Sequence, residues 1–207
     1  MLELESIRLE NEGKKVIYRF NCDRSISRYF SKEKIVWTEY NTAVSEVPGS
    51  LLVIPFLANV LPVSWFFGFD IHVHEIDKEY LQAVEKIKQI FAQHCSLGAS
   101  RLYCKNVITN ETGGSRPLIL FSGGVDSHYS FIAHEAENPL LVTIHGADIQ
   151  TADSRQFRVL QNAIEQSVLA RGRERYVVKS NMRDFYTYRL NLLFDDLDWW
   201  GRVQHGL

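Results

Sequence analysis

The sequence predicts an α/β protein, with a doubly wound parallel sheet over residues 116–207 and a smaller β-rich α+β domain before it over residues 1–115. Three observations predict this. After Arg116, apolar runs and helical patterns alternate as strand, helix, strand, helix, strand, the order that builds a parallel sheet with helical crossovers. Before that point, short alternating or aromatic runs are separated by polar turns and interrupted by a single helical pattern. Between the two, the stretch from Asn106 to Ser115 turns to Asn, Thr, Glu and Gly and ends in Gly113-Gly114-Ser115, loop chemistry that marks a domain boundary.

In the first part, strands are expected at Ser6 to Leu9, Lys15 to Phe20 and Lys34 to Tyr40, with Asn11-Glu12-Gly13 as a hairpin turn between the first two. The longest apolar stretch, Leu51 to Ile71, contains Pro55, Asn59, Pro62, Ser64 and Asp70, so it reads as a buried, bent core segment rather than a membrane span. From Asp77 the period becomes helical, with Tyr80, Val84, Ile87, Phe91 and His94 on one face. Asp77 is the expected N-cap, Leu97-Gly98 the stop, and His94 a core or boundary residue.

In the second part, strands are expected at Pro117 to Phe121, Leu140 to Ile144 and Arg175 to Lys179, with helices at Asp126 to Glu135 and Arg155 to Arg171. The inner strands are continuous apolar runs, as when helices cover both faces of a sheet. The second helix has a capping box in Asp153-Ser154-Arg155-Gln156, a C-cap in Gly172 and a sheet-facing row of Phe157, Leu160, Ile164 and Val168.

Composition narrows the function classes. The chain has 207 residues, an apolar share of 45% and a formal net charge of −2, which excludes an overall basic field for nucleic acid or an anionic membrane. The densest basic cluster, Arg171, Arg173, Arg175 and Lys179, straddles a helix end and the next strand and is explained by the helix dipole. Cys22, Cys95 and Cys104 form no C-x-x-C pair, which points to a reducing compartment without a thiolate metal site. The acidic start, Met1-Leu2-Glu3-Leu4-Glu5, is unlike a signal peptide, so a cytoplasmic location is expected.

The chemistry concentrates in Ser122-Gly123-Gly124-Val125-Asp126-Ser127, where an apolar strand runs into a Gly-Gly turn and then a helix. Glycines let the backbone approach a phosphate, and the helix N-terminus offers unpaired N–H groups and a positive dipole end. Ser122 and Ser127 can donate to phosphate oxygens, and Asp126 would repel a bare phosphate unless Mg2+ sits between them. The spacing is neither G-x-x-x-x-G-K-[ST] nor G-x-G-x-x-G.

This loop resembles that of the N-type ATP pyrophosphatase, or PP-loop, superfamily, whose hallmark is S-G-G-x-D-S after the first strand; the resemblance covers about residues 116–181. It implies ATP and Mg2+ as cofactors, and adenylation of a carboxylate or amide on a small molecule or modified base. Pyrophosphate would be released, and a nitrogen nucleophile would then displace AMP. The resemblance also makes His145 and Gly146, just after the second strand, adenine-side candidates. Gly146 would let a base lie against the backbone, while His145 reads equally as a strand-end histidine satisfied by backbone. Asp148 is either a turn cap or a magnesium ligand. Lys179 and Arg183, at the end of the third strand, are either the cations that neutralise charge on pyrophosphate or an acyl-adenylate, or solvated loop charges.

The subfamily is left between 7-cyano-7-deazaguanine synthase-like and asparagine synthetase-like. No Met-Cys start or four-cysteine zinc site is present, so ammonia, or a partner delivering it, is the expected nucleophile; self-association is left open. Asp195, Asp196 and Asp198, ahead of Trp199-Trp200, read as a helix N-terminus rather than a metal set. The chain ends at Leu207 without an evident finish to the fold, which reads as a truncated form. The competing expectation is a nucleotide-binding module, or subunit of a larger assembly, without turnover.

Overall fold

The computed structural model describes residues 1–111, 113–114, 116–167 and 172–187. The chain begins as a three-stranded antiparallel meander, β1 (Leu2–Glu10), β2 (Lys15–Cys22) and β3 (Ile35–Glu39). The β1–β2 turn falls at the predicted Asn11-Glu12-Gly13, which all take positive φ, at 51°, 55° and 79°. A short helix, α1 (Arg24–Ser27), lies in the β2–β3 connection. The apolar stretch after β3 forms α2 (Gly49–Leu52) and α3 (Ile54–Phe67). Next come β4 (Ile71–Asp77), α4 (Lys78–His94) and β5 (Leu102–Ile108).

The second half runs β6 (Leu118–Leu120), α5 (Val125–Ala133), β7 (Leu140–His145), α6 (Ser154–Ser167) and β8 (Arg175–Ser180). The eight strands of the described residues belong to one mixed sheet, ordered β5-β4-β1-β2-β3-β8-β7-β6. β6, β7 and β8 are mutually parallel, as their helical crossovers require. The predicted boundary near residue 115 therefore separates the two edge strands of a single sheet, and the halves are joined where β8 pairs antiparallel with β3.

Three details differ from the sequence expectation. Residues 1–115 hold four helical segments rather than one. Leu51 to Ile71 was expected as a bent segment, yet α3 runs through Pro62, because a helix buried all round carries no amphipathic pattern to read. His94 is exposed rather than core or boundary, since α4 buries chiefly Val84 and the stripe rolls away from the core towards its end.

The expected coverage of both faces over the inner strands also fails at β6. Phe131 of α5 and Ile164 of α6 share one buried cluster with Phe121 and Leu141, so both helices lie on the same face. On the other face Leu118 and Leu120 are 58% and 60% exposed. A continuous apolar run reads alike whether one face or two are covered. The larger core lies across the sheet from α5 and α6, where Phe56, Leu57 and Val60 of α3 pack on Val16, Tyr18 and Phe20 of β2. Val168 and Arg171 of the predicted second helix, and the whole acidic and tryptophan-bearing tail, lie outside the described residues. No described helix is long and apolar enough to cross a membrane.

Candidate functional site

β6 delivers the chain to the candidate loop. Pairing continues through Phe121, whose N–H donates to the Val142 carbonyl at 2.7 Å, while Thr143 Oγ1 donates to the Phe121 carbonyl at 2.7 Å. With Phe121 fixed on both sides, the turn starts at Ser122. Gly123 takes φ +81°, a left-handed conformation that favours glycine, and Gly124 caps α5 in an extended conformation. The first helical hydrogen bond runs from His128 N–H to the Gly124 carbonyl at 3.1 Å. The amides of Val125, Asp126 and Ser127 precede it and have no acceptor within the helix. Their partial positive charge is aligned with the helix dipole.

The six motif residues differ in exposure, with Gly123 half-buried between exposed neighbours. Ser122, Gly124, Val125 and Asp126 are exposed. Ser122 Oγ accepts a long hydrogen bond from Gly124 N–H at 3.4 Å and keeps its own proton to donate. Ser127 is buried, and its hydroxyl donates to the Gly124 carbonyl at 2.8 Å, so its single proton is spent on the turn rather than offered outward. The same carbonyl lies 2.9 Å from His128 Nδ1, and the His128 ring stands edge-on to Phe121 at 4.9 Å. His128 thus props the loop from below, a role that no spacing in the sequence signals.

Asp126 stands in the first turn of α5, and no described group of three or more His, Cys, Asp or Glu side chains could hold a metal unaided. A single exposed carboxylate such as Asp126 could hold magnesium only if anionic ligands and water supplied the rest of the shell.

At the carboxyl ends of β7 and β8 the structure rearranges the expectations. Gly146 is buried with φ +117°, and a Cβ built there would collide with the Ser180 carbonyl oxygen of β8. Its missing side chain makes room for the neighbouring strand, not for a base as expected. Arg183 Nη1 donates to the Ala147 and Asp148 carbonyls at 2.9 and 3.2 Å, clamping the loop after β7. Asp148 and Lys179 are exposed. Of the basic cluster, Arg173 is spent on Asn138 and Glu135, at 2.9 and 3.3 Å.

His145 is only 5% exposed. Its ring lies flat on Phe157 of α6, with centroids 3.8 Å apart and planes within 2°. Nε2 is 3.1 Å from the Gln150 carbonyl, which only accepts, so the proton belongs on Nε2. Nδ1 is buried and has no hydrogen-bond partner among the described residues. Backbone therefore satisfies one nitrogen of the histidine and leaves the other.

His145 and Lys179, paired in register on β7 and β8, border a cavity of about 470 Å3. Its floor is Val177 and Lys179 of β8, and one wall is α6, through Ser154, Phe157, Arg158 and Gln161. The other wall is Glu39-Tyr40-Asn41, the end of β3, brought there by the Glu39 to Lys179 pairing. α6 stands between this cavity and the Ser122–Ser127 turn, since Leu160 and Ile164 on its opposite flank face Gly123. The contribution of β3 was invisible in sequence because it depends on a strand pairing across some 140 residues. No protein-family model, curated protein or solved structure matches this chain.

Proposed function

We propose that the chain is an ATP-binding PP-loop protein that uses the Ser122–Ser127 turn to hold the nucleotide phosphates with Mg2+ beside Asp126, on the parallel α/β unit of β6, β7 and β8. The observation that carries the reading is the turn itself. A left-handed Gly123, a helix start at Gly124 and the amides of the first turn of α5 stand with the exposed Ser122 and Asp126 at the carboxyl end of a parallel strand. Free N–H groups at a helix start favour an anion, and the exposed Asp126 carboxylate beside them favours one that arrives with a cation. The reaction would be adenylation. A carboxylate or amide oxygen of a small molecule or modified base attacks the α-phosphorus, the bond to the β-phosphate breaks, and pyrophosphate leaves with the bonding pair. A nitrogen nucleophile, ammonia or an amine, then displaces AMP. Lys179 is the cation exposed at the same sheet edge to balance the charge that builds up.

A second reading, nucleotide binding without turnover, is favoured by one observation: the Arg183 guanidinium is held by two backbone carbonyls of the β7 loop.

The test is calorimetric titration of ATP with magnesium into the wild type and Gly124→Val. A Cβ at Gly124 meets only Ser122 Oγ at 3.5 Å, so the variant keeps its fold while branched carbons block the approach of a phosphate. Affinity should fall by at least about tenfold, equivalent to about 1.4 kcal/mol. Unchanged ATP affinity in folded Gly124→Val would make the loop an ordinary turn. Pyrophosphate release on adding candidate acids separates the adenylating enzyme from the binding module.

A further inference from the structure

We infer that His128 and Ser127 are positioning residues for the nucleotide: by holding the Gly124 carbonyl they aim and polarise the Val125 N–H, which donates to a phosphate oxygen. The starting observation is one crowded acceptor. The Gly124 carbonyl oxygen has two lone pairs and receives three donors, Ser127 Oγ at 2.8 Å, His128 Nδ1 at 2.9 Å and the His128 N–H at 3.1 Å. A carbonyl only accepts, so the ring proton of His128 belongs on Nδ1. Neither side chain is free to leave. Ser127 is buried, and the His128 ring is braced edge-on against Phe121 at 4.9 Å.

The consequence falls on the other end of the same peptide group. The Gly124–Val125 peptide is trans and planar, so its N–H points opposite to its C=O. The oxygen faces along α5, where it receives the His128 amide. The Val125 N–H therefore leaves the helix at its start, with no acceptor within it. Hydrogen bonds accepted by the oxygen also polarise the peptide and make its N–H a stronger donor, by roughly 10–30% per bond. Among the described residues no side chain donates to the Val125 or Asp126 carbonyl, so the next two amides lack this reinforcement. Of the three free amides, that of Val125 is the one best prepared for an anion.

His128 and Ser127 act through this peptide without touching the nucleotide, and Val125 contributes backbone alone. The phosphate part of the inference rests on the nucleotide reading. The polarised peptide does not, since its three hydrogen bonds lie within the chain.

The experiment uses full-length protein labelled with 15N at valine, with the Val125 amide resonance assigned from Val125→Ile. His128→Phe keeps the contact with Phe121 and lacks the Nδ1 donor, Ser127→Ala lacks the hydroxyl, and His128→Asn places an amide N–H at the Nδ1 position. Without nucleotide, the Val125 amide proton should move upfield in His128→Phe and Ser127→Ala and stay with the wild type in His128→Asn. ATP with magnesium should move it downfield in the wild type. Calorimetric affinity for ATP should fall about fivefold in each of the first two variants, the worth of one ordinary hydrogen bond, and by less than about twofold in His128→Asn. Circular dichroism checks the fold of all three. The inference alone is overturned if the wild type binds ATP without moving the Val125 resonance, if His128→Phe and Ser127→Ala bind as the wild type does, or if His128→Asn is as weak as His128→Phe. A wild type that binds no ATP would overturn the nucleotide reading and the phosphate role with it. An unmoved Val125 resonance in both nucleotide-free variants would refute the polarised peptide by itself.

Discussion

Gly123 and Gly124 are neighbours held in place by different physics, and substitution should separate them. Gly123 sits at φ +81° with a would-be Cβ 3.0 Å from Leu160 Cδ1, whereas Gly124 has ordinary extended backbone and a would-be Cβ in no more than ordinary contact, 3.5 Å from Ser122 Oγ. Gly123→Ala should cost about 1–3 kcal/mol in urea denaturation. Gly124→Ala should stay within about 0.5 kcal/mol of the wild type. Equal losses would mean that the left-handed backbone is not what requires glycine. Gly146→Ala should be worse than either, above about 3 kcal/mol, because a positive φ and a collision with the Ser180 backbone add and no side chain can rotate away. A mild loss there would mean that β7 and β8 shift apart easily. At this scale the sequence located the glycine turn between β6 and α5 but misjudged two residues. Ser127 looked like an outward donor and turns inward, and Gly146 looked like a seat for a base and is filled by a strand. Both depend on partners distant in sequence or on a rotamer, neither of which spacing encodes.

Elements were legible where their ends carry chemistry. α4 begins at the expected Asp77, whose Oδ1 accepts from the Tyr80 amide at 2.9 Å while Oδ2 accepts from Asn110 at 2.9 Å. α6 likewise begins with Asp153 accepting from Gln156 N–H at 2.9 Å. α3 was not legible. Its two prolines argue against a helix, yet Pro55 falls in the first turn, where no N–H is needed. Burial on all sides compensates for the hydrogen bond missing at Pro62.

The Asp77 cap gives a pH prediction. The Tyr80 amide first, and then the Asn110 side chain, hold its carboxyl below the usual aspartate range. Its stabilising contribution is complete above the unfolded value of about 3.9 and is lost as pH falls through the lower folded value. Asp77→Asn should therefore be less stable than the wild type at neutral pH but lose less stability between about pH 5 and pH 2. Parallel acid limbs for the two proteins, measured by urea midpoints, would remove Asp77 as a contributor.

At the scale of the whole molecule, two cores of unequal size share one sheet, and the short segment after β8 joins them. The larger core gathers residues from β1 to α4 together with Phe185, whereas among the described residues only Phe121, Phe131, Leu141 and Ile164 are fully buried in the smaller. β3 and β8 share just two register pairs, Thr38 with Ser180 and Glu39 with Lys179. The chain then leaves β8 and inserts into the larger core. Asn181 takes the Trp37 N–H on its side-chain oxygen and donates to the Ile35 carbonyl, and the Phe185 carbonyl accepts from Ser31 N–H at 2.7 Å. Phe185 is 0% exposed, among Phe20, Phe30 and Tyr186.

The parallel half therefore owes its attachment, and the β3 wall of its cavity, to a contact made by the other core. Phe185→Ala should cost about 3–5 kcal/mol, the usual loss for a buried phenylalanine. The loss should be uneven. Native-state hydrogen exchange should show amides of β7 and β8 opening at lower free energy than in the wild type, while those of β1 and β2 change less, because α3 still covers them. A uniform loss of protection across all eight strands would mean that the two cores unfold as one unit and that Phe185 contributes only its buried area.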